Sequence, residues 1–309
     1  MIELIVPNPH QTVDLTMADG AVIRLRRHGN PDGPRLVMAH GNGFAIDAYL
    51  PFWGLLADQF DLVLYDQRNH GQNPRHDDVS HHDVSYFVSD MEEVFHGVRR
   101  ELGGKVTVGV FHSISAITAI RHALEGGSHW DALALFDPPL IPAPGQELHD
   151  MAHDFEVGLA KWSAGRRDRF PDPEALGGGF AKSRSLRRWV DGEHMLMARS
   201  ILRKDEEAGD WELCCPRECE SRVYMTNSGL NLCGNLGELT GKYKFICSDP
   251  EEEDALSPGH VNRAMHARYG HPYEVIPGTS HLLQVEKPAQ CAAALVAFVE
   301  ESGITPPAI

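Results

Sequence analysis

Three short segments of this 309-residue chain carry residue types suited to nucleophilic chemistry. The first is Phe111-His112-Ser113-Ile114-Ser115-Ala116, where an apolar run ends and a helical pattern begins. A sharp turn there pushes the Ser113 hydroxyl out beside a helix N-terminus, and its strained, closely packed backbone needs small neighbours. Ser115 and Ala116 fit. Phe111 does not, because the G-x-S-x-G pattern wants glycine two residues before the serine. Standing alone, a serine after a strand is more often a helix cap than a nucleophile. The second segment is His40-Gly41-Asn42-Gly43-Phe44, directly after the run Leu36–Ala39, whose glycines let backbone N–H groups approach an anion. The third is Gly278-Thr279-Ser280-His281. The chain has 18 histidines, and what singles out His281 is its place on the loop after a final strand, within reach of a serine on a neighbouring strand end.

A serine–histidine pair needs a buried acid to orient the imidazole and stabilise it when protonated. Two positions compete. Asp137 ends the run Ala132–Phe136, and Pro138-Pro139 then turns the chain away. Asp249 follows Lys244–Cys247, but Glu251 and Asp254 lie beside it in a run that reads as a solvated charge patch. A fourth segment, Asp66-Gln67-Arg68-Asn69-His70-Gly71-Gln72, reads as a turn-fixing set rather than as catalytic groups.

The elements that must position these residues follow from the apolar pattern. Thr12–Thr16 and Val22–Arg26 alternate about Asp19-Gly20, a β-hairpin signal. Short continuous apolar runs at Leu36–Ala39, Leu62–Tyr65, Val106–Phe111, Ala132–Phe136, Lys244–Cys247 and Tyr273–Ile276 suit strands buried on both faces. Helical spacing covers Asp47–Phe60, Val84–Leu102, Ser115–Leu124 and Ala289–Glu300. This alternation predicts a mostly parallel sheet covered by helices on both faces. It stops at Pro138 and resumes near Gly241, which divides the chain into a core of 1–137 and 241–309 and an insertion at 138–240. The insertion reads as helices and loops. Because functional crevices lie at strand carboxyl ends, it is expected to be a lid over the site.

Composition narrows the function. Lys plus Arg number 28 against 44 Asp plus Glu, a formal net charge of −16. That argues against nucleic acid or an anionic membrane as partner, since both call for basic patches. No run reaches the roughly 18 apolar residues of a membrane span, and the first residues lack a signal-peptide pattern. A cytoplasmic protein with reduced thiols is expected, with a small-molecule substrate as its partner and a homodimer left open. The irregular spacing of Cys214, Cys215, Cys219 and Cys233 reads as buried thiols rather than a zinc site. No dinucleotide fingerprint or P-loop is present, and no cofactor or metal is expected. One stretch, 161–204, holds 11 Lys and Arg against 5 Asp and Glu. It reads as a solvated helical surface, with a carboxylate-bearing substrate under the lid as the alternative.

The ordered set His40-Gly41-Asn42-Gly43, Asp66-x-Arg68-x-His70-Gly71, His112-Ser113, Asp137-Pro138 and His281 resembles the α/β-hydrolase family over nearly all of the core. The resemblance implies an eight-stranded, mostly parallel sheet with a cap after the sixth strand. It implies Ser113 as nucleophile, His281 as general base, and an oxyanion hole from the backbone N–H groups of Asn42 and Ile114. In much of the family the acid follows the seventh strand, and in some branches it ends the sixth. The usual glycine is missing before Asp249, so Asp137 is preferred, with Asp249 as the alternative. A serine at 113 counts against the epoxide-hydrolase and haloalkane-dehalogenase branches, which place an aspartate there. The expected activity is hydrolysis of a small ester, thioester, lactone or related carbonyl substrate. C–C bond hydrolysis and cofactor-free haloperoxidase-like chemistry use the same triad. Phe111 at the elbow and Asn69 replace usual glycines, and Phe111 keeps open a non-catalytic, ligand-binding member of the fold.

Overall fold

The computed structural model describes residues 3–127 and 129–307. The strands in chain order are β1 (Gln11–Thr16), β2 (Val22–Gly29), β3 (Arg35–Ala39), β4 (Asp61–Tyr65), β5 (Thr107–His112), β6 (Ala132–Phe136), β7 (Arg169–Phe170), β8 (Leu202–Lys204), β9 (Trp211–Leu213), β10 (Tyr243–Cys247) and β11 (Tyr273–Val275). The α-helices are α1 (Leu50–Trp53), α2 (Val84–Leu102), α3 (Ile114–Gly126), α4 (His149–Gly165), α5 (Pro173–Lys182), α6 (Glu193–Ile201), α7 (Arg217–Ser228), α8 (Ser257–Tyr269), α9 (Leu283–Glu286) and α10 (Pro288–Glu301).

Eight strands form one sheet in the order β1-β2-β4-β3-β5-β6-β10-β11. The β1–β2 and β2–β4 pairs are antiparallel and the rest are parallel. The expected hairpin forms with Thr16 opposite Val22. The central strands β3, β4, β5 and β6 are buried at every residue, which is why their sequences are continuous apolar runs rather than alternating ones. Alternate residues still go to opposite faces. Leu36, Met38, Val108 and Val110 pack with Phe52, Trp53, Leu295 and Phe298 on one face. Val37, Phe111, Leu133 and Leu135 pack with Met91, Val94, Ile117 and Ile120 on the other. Helix α2 starts at Asp83, whose carboxylate accepts from Ser85 N at 2.9 Å, and stops at Gly103 with φ +80°.

Two expectations are corrected. The stretch 47–60 is not one helix: it is broken into a 3-10 turn (Ile46–Tyr49), the single turn α1 and another 3-10 turn (Gly54–Leu56). Its first residues are claimed by the site scaffold, with Ile46 N–H donating to Asp66 and Asp47 paired with Arg26. The insertion is not made of helices and loops alone. It also holds a three-stranded antiparallel sheet, β7-β9-β8. The Asp205–Asp210 turn joins two of these strands, and Arg169 on the third reaches Asp205 at 2.6 Å.

Phe111 finds its room on the same strand. Its ring lies over Gly109, two residues earlier on the same face, and meets Trp130 edge-on with centroids 5.4 Å apart. A Cβ at Gly109 would stand 2.5 Å from Phe111 Cε2 and 2.8 Å from Leu133 Cδ2. The small residue that the elbow pattern wants at 111 is therefore supplied at 109. Gly109→Ala is expected to destabilise the fold by about 1–3 kcal/mol, the usual cost of overpacking. The cost should be smaller in a Phe111→Ala background, because the ring that the new methyl strikes is gone. Urea unfolding of the two single variants and the double variant reads this coupling.

Candidate active site

Ser113 joins the end of β5 to the start of α3 with φ 57° and ψ −120°, a conformation that persists only where the surroundings hold it. Ser115 Oγ accepts from His112 N at 2.9 Å and donates to His112 O at 2.8 Å. Ser113 N donates to Phe136 O at 2.9 Å, tying the turn to the end of β6. Gly41 leaves space beside it: a Cβ there would lie 3.2 Å from Ser113 Cβ.

His281 meets this serine from the loop after β11. Its Nε2 is 2.9 Å from Ser113 Oγ and its Nδ1 is 2.8 Å from Asp137 Oδ2. A carboxylate only accepts, so Nδ1 carries the hydrogen and Nε2 is the acceptor for the serine hydroxyl. Asp137 is fully buried at the end of β6, with φ 42°. Its Oδ1 accepts from Ser248 N at 3.2 Å and Asn262 Nδ2 at 3.3 Å, and its Oδ2 also accepts from Ser248 Oγ at 2.9 Å. The loop that carries His281 is pinned by Glu286, which accepts from Ser280 N at 2.6 Å.

The alternative acid is not brought to this histidine. Asp249 turns its carboxylate to Gly278 N at 2.8 Å and Glu251 N at 2.9 Å. Those two bonds lower its pKa below the ordinary carboxylate value. Glu251 pairs with Arg263, and Asp254 with Arg188 at 2.6 Å and Arg187 at 3.0 Å. At the end of β10 it is Ser248 that points to the site, donating to Asp137. The next residue faces the loop at 278, which is the physical reason Asp249 is displaced from this position.

The glycine-rich loop lies on the other side of Ser113. Among the described residues the N–H groups of Asn42 and Ile114 have no protein acceptor. A hydrogen-bonded line fixes the loop to the elbow. Gly41 N donates to Tyr49 Oη at 3.2 Å, Tyr49 Oη is 2.7 Å from His112 Nδ1, and His112 Nε2 is 2.8 Å from His281 O. The carbonyl only accepts, so His112 Nε2 carries the hydrogen and Nδ1 accepts from the tyrosine. Burial pushes His112 well below the usual imidazole range, which keeps it neutral in this role. His70 likewise accepts from Gly43 N at 3.0 Å, and burial pushes it down to about 3. Asp66 and Arg68 are structural, as read from the sequence. Asp66 accepts from Ile46 N, Gln72 N and Arg26, while Arg68 grips Asp90 with two nitrogens. Asn69 takes the left-handed backbone of the glycine it replaces, φ 62°, and its Oδ1 accepts from His76 N at 2.6 Å.

Ser113, His281 and Asn42 open on a cavity of about 500 Å³. Its remaining wall comes largely from 138–240, with Phe155, Leu159, Trp162 and Trp189 supplying an apolar surface. Polar groups on this wall include Glu156, Arg166, Glu220 and Tyr224. Arg166 Nη1 lies 3.1 Å from Glu220 Oε1, and its guanidinium stands over Trp162. Glu156 accepts from Asn227 Nδ2 at 2.7 Å, and burial pushes its carboxyl up to about 8. The basic stretch 161–204 is mostly spent elsewhere. Arg169, Arg187, Arg188 and Arg199 pair with acids outside the cavity wall, and Arg166 is already neutralised by Glu220. That fits the surface reading.

Known proteins identify the scaffold. The sequence model of the alpha/beta hydrolase family matches residues 36–294. The chain belongs to the α/β-hydrolase family. Among solved structures, this chain is similar to E-2-(acetamidomethylene)succinate hydrolase, with TM-score 0.74 and 17% identity over 94% of this chain and 100% of that one. It is also similar to the esterase EaEST from Exiguobacterium antarcticum, with TM-score 0.71 and 16% identity over 94% and 100%. At these identities the likeness is one of fold. A 79-residue stretch is 34% identical to the probable oxidoreductase EphD of Mycobacterium tuberculosis (strain ATCC 25618 / H37Rv), covering 25% of this chain and 13% of that protein. No described helix is long and apolar enough to cross a membrane. All six cysteines are buried free thiols.

Sequence reasoning missed Ser248, Asn262, Tyr49 and the use of His112. His112 stood inside the quoted motif, and its neighbour relation to Ser113 was the available signal. Ser248 and Asn262 reach Asp137 across 111 and 125 residues of chain, which no local pattern encodes.

The neutral buried histidines set an acid limit. His70 has a folded value of about 3, against about 6.5 in an unfolded chain. As pH falls below about 6.5, the unfolded chain takes up a proton that the folded state refuses, so its stability falls until pH nears the folded value. The slope from this residue approaches ~1.4 kcal/mol per pH unit. His70→Gln, which keeps an acceptor for Gly43 N, is expected to make the decline between pH 6 and 4 (roughly the window between the two values) shallower by about one proton. Urea unfolding at a series of pH values measures it.

Proposed function

We propose that this α/β hydrolase is a serine hydrolase acting on a small ester, thioester, lactone or related carbonyl substrate. The observation that carries the reading is the continuous line Asp137 Oδ2–His281 Nδ1 at 2.8 Å and His281 Nε2–Ser113 Oγ at 2.9 Å. In this mechanism Ser113 Oγ attacks the carbonyl carbon as its proton passes to His281 Nε2. Asp137 keeps the ring in the required tautomer and stabilises the imidazolium that forms. The N–H groups of Asn42 and Ile114 receive the developing oxyanion, which a ground-state acceptor does not occupy. The imidazolium then protonates the leaving group, which departs as the carbonyl re-forms. Water, deprotonated by the same nitrogen, repeats the sequence on the acyl-enzyme and frees the acid.

The segment 138–240 serves as a cap in this reading. Its aromatic side chains cover the cavity, exclude bulk water and bind an apolar acyl or alcohol portion. Phe111, which motivated a non-catalytic alternative, does not distort the elbow, because Gly109 takes up its ring.

Short p-nitrophenyl esters of graded acyl length test the proposal. The wild type should turn over at least one of them, and Ser113→Ala should lose about 10³-fold or more in kcat. A fluorophosphonate should label one serine, and peptide mapping should place the label on Ser113. A folded wild type that is no faster than Ser113→Ala on every ester, and that remains unlabelled, would refute the enzyme reading.

A further inference from the structure

On the surface formed by α2 and α3, away from the cavity wall, three imidazoles turn the same atom toward one carboxylate. His96 Nε2 is 2.8 Å from Glu92 Oε1. His122 Nε2 is hydrogen-bonded to Glu92 Oε2, and His129 Nε2 lies 3.5 Å from that same oxygen. We propose that Glu92, His122 and His129, with His96 as the fourth donor, form a binding site for a divalent transition-metal ion of the zinc, cobalt or nickel class. None of the four lines the cavity that holds Ser113. His122 lies nine residues along α3 from that serine, roughly 13 Å of helix rise.

The donor chemistry is specific. Three imidazole nitrogens and one carboxylate oxygen make a complete tetrahedral set for a borderline cation. The ligand atoms of Glu92, His122 and His129 already lie within 4.8 Å of one another. A tetrahedral ion with bonds of about 2.0–2.1 Å needs them about 3.3 Å apart. The adjustment falls on His129, exposed on the loop after α3, and on the exposed His96, which meets the other Glu92 oxygen and must turn toward the shared one. Glu92 and His96 are four residues apart on α2, the spacing that puts two ligands on one helix face. Phe95 backs the site, with its ring centroid 5.3 Å from that of His129 and 5.4 Å from that of His96.

Two other clusters of similar composition fail where this one succeeds. At Asp19, His76 and His81, the Arg68 guanidinium is 2.7 Å from the Asp19 oxygen an ion would use, so a cation would meet a fixed positive charge. At His70, His82 and Cys215 every group is buried, and both His70 nitrogens are committed, to Gly43 N and Arg68 O. Among the described residues, Glu92 pairs with the three imidazoles and with no Lys or Arg. Its partial exposure leaves an entry path. The formal charge of −16 on the whole chain also favours a cation.

The test is a titration of metal-stripped, full-length protein with Zn²⁺ by calorimetry, with circular dichroism to confirm folding. One saturable equivalent is expected. Exposed His96→Asn and His129→Asn should each weaken it by about tenfold or more, the scale already seen for partners less direct than ligands. His76→Asn should leave it unchanged. Co²⁺ should give the intense visible spectrum of a tetrahedral site in the wild type, and that spectrum should be lost in Glu92→Gln. Absence of saturable binding would overturn the proposal. So would binding that survives the His96→Asn/His129→Asn double variant or disappears in His76→Asn.

Discussion

A buried carboxylate is costly unless donors fill its lone pairs, and the site is organised around meeting that demand at Asp137. Four donors do so: the Ser248 N–H, the Ser248 hydroxyl, the Asn262 amide and the His281 ring. They come from the end of β10, from α8 and from the loop after β11. Satisfying one acid therefore locks three separate parts of the chain to the end of β6. The orientation of His281 is a consequence, and with it the direction in which the Ser113 hydroxyl points.

The serine side of the site is built by a different device. No acid is involved; neutral groups are stitched in a fixed donor order from Gly41 through Tyr49 and His112 to the carbonyl of His281. The tyrosine-to-His112 bond in that line needs a neutral imidazole to accept at Nδ1, and burial supplies it. The same segment is held on one side and given room on the other. Ser115 closes the elbow from below, and the Gly109 vacancy under Phe111 relieves it from the strand.

The parts of this arrangement that were legible in the sequence are those set by local chemistry. Ser113, Asp137 and His281 each follow an apolar run that becomes a strand, so their strand-end placement could be read directly. The preference for Asp137 over Asp249 rested on a missing glycine; in the structure Ser248 donates to Asp137, and Asp249 faces the loop at 278. Phe111 was readable as a departure, yet its remedy was also in view: Gly109 lies two residues earlier, on the same face by simple alternation. What could not be read was anything joined across the chain, such as Asn262 on Asp137 or Glu220 on Arg166. The two- and three-residue strands of the insertion are likewise too short for any periodicity to register.

The proposed chemistry depends on which acid serves His281. Steady-state kcat for the best ester substrate, measured side by side for Asp137→Asn and Asp249→Asn, is the most direct test. Asp137→Asn is expected to lose about 10⁴-fold, since an amide there imposes the wrong tautomer on the ring, and Asp249→Asn to keep near wild-type turnover. Loss confined to Asp249→Asn, or an Asp137→Asn enzyme that is folded and fully active, would contradict the proposed chemistry.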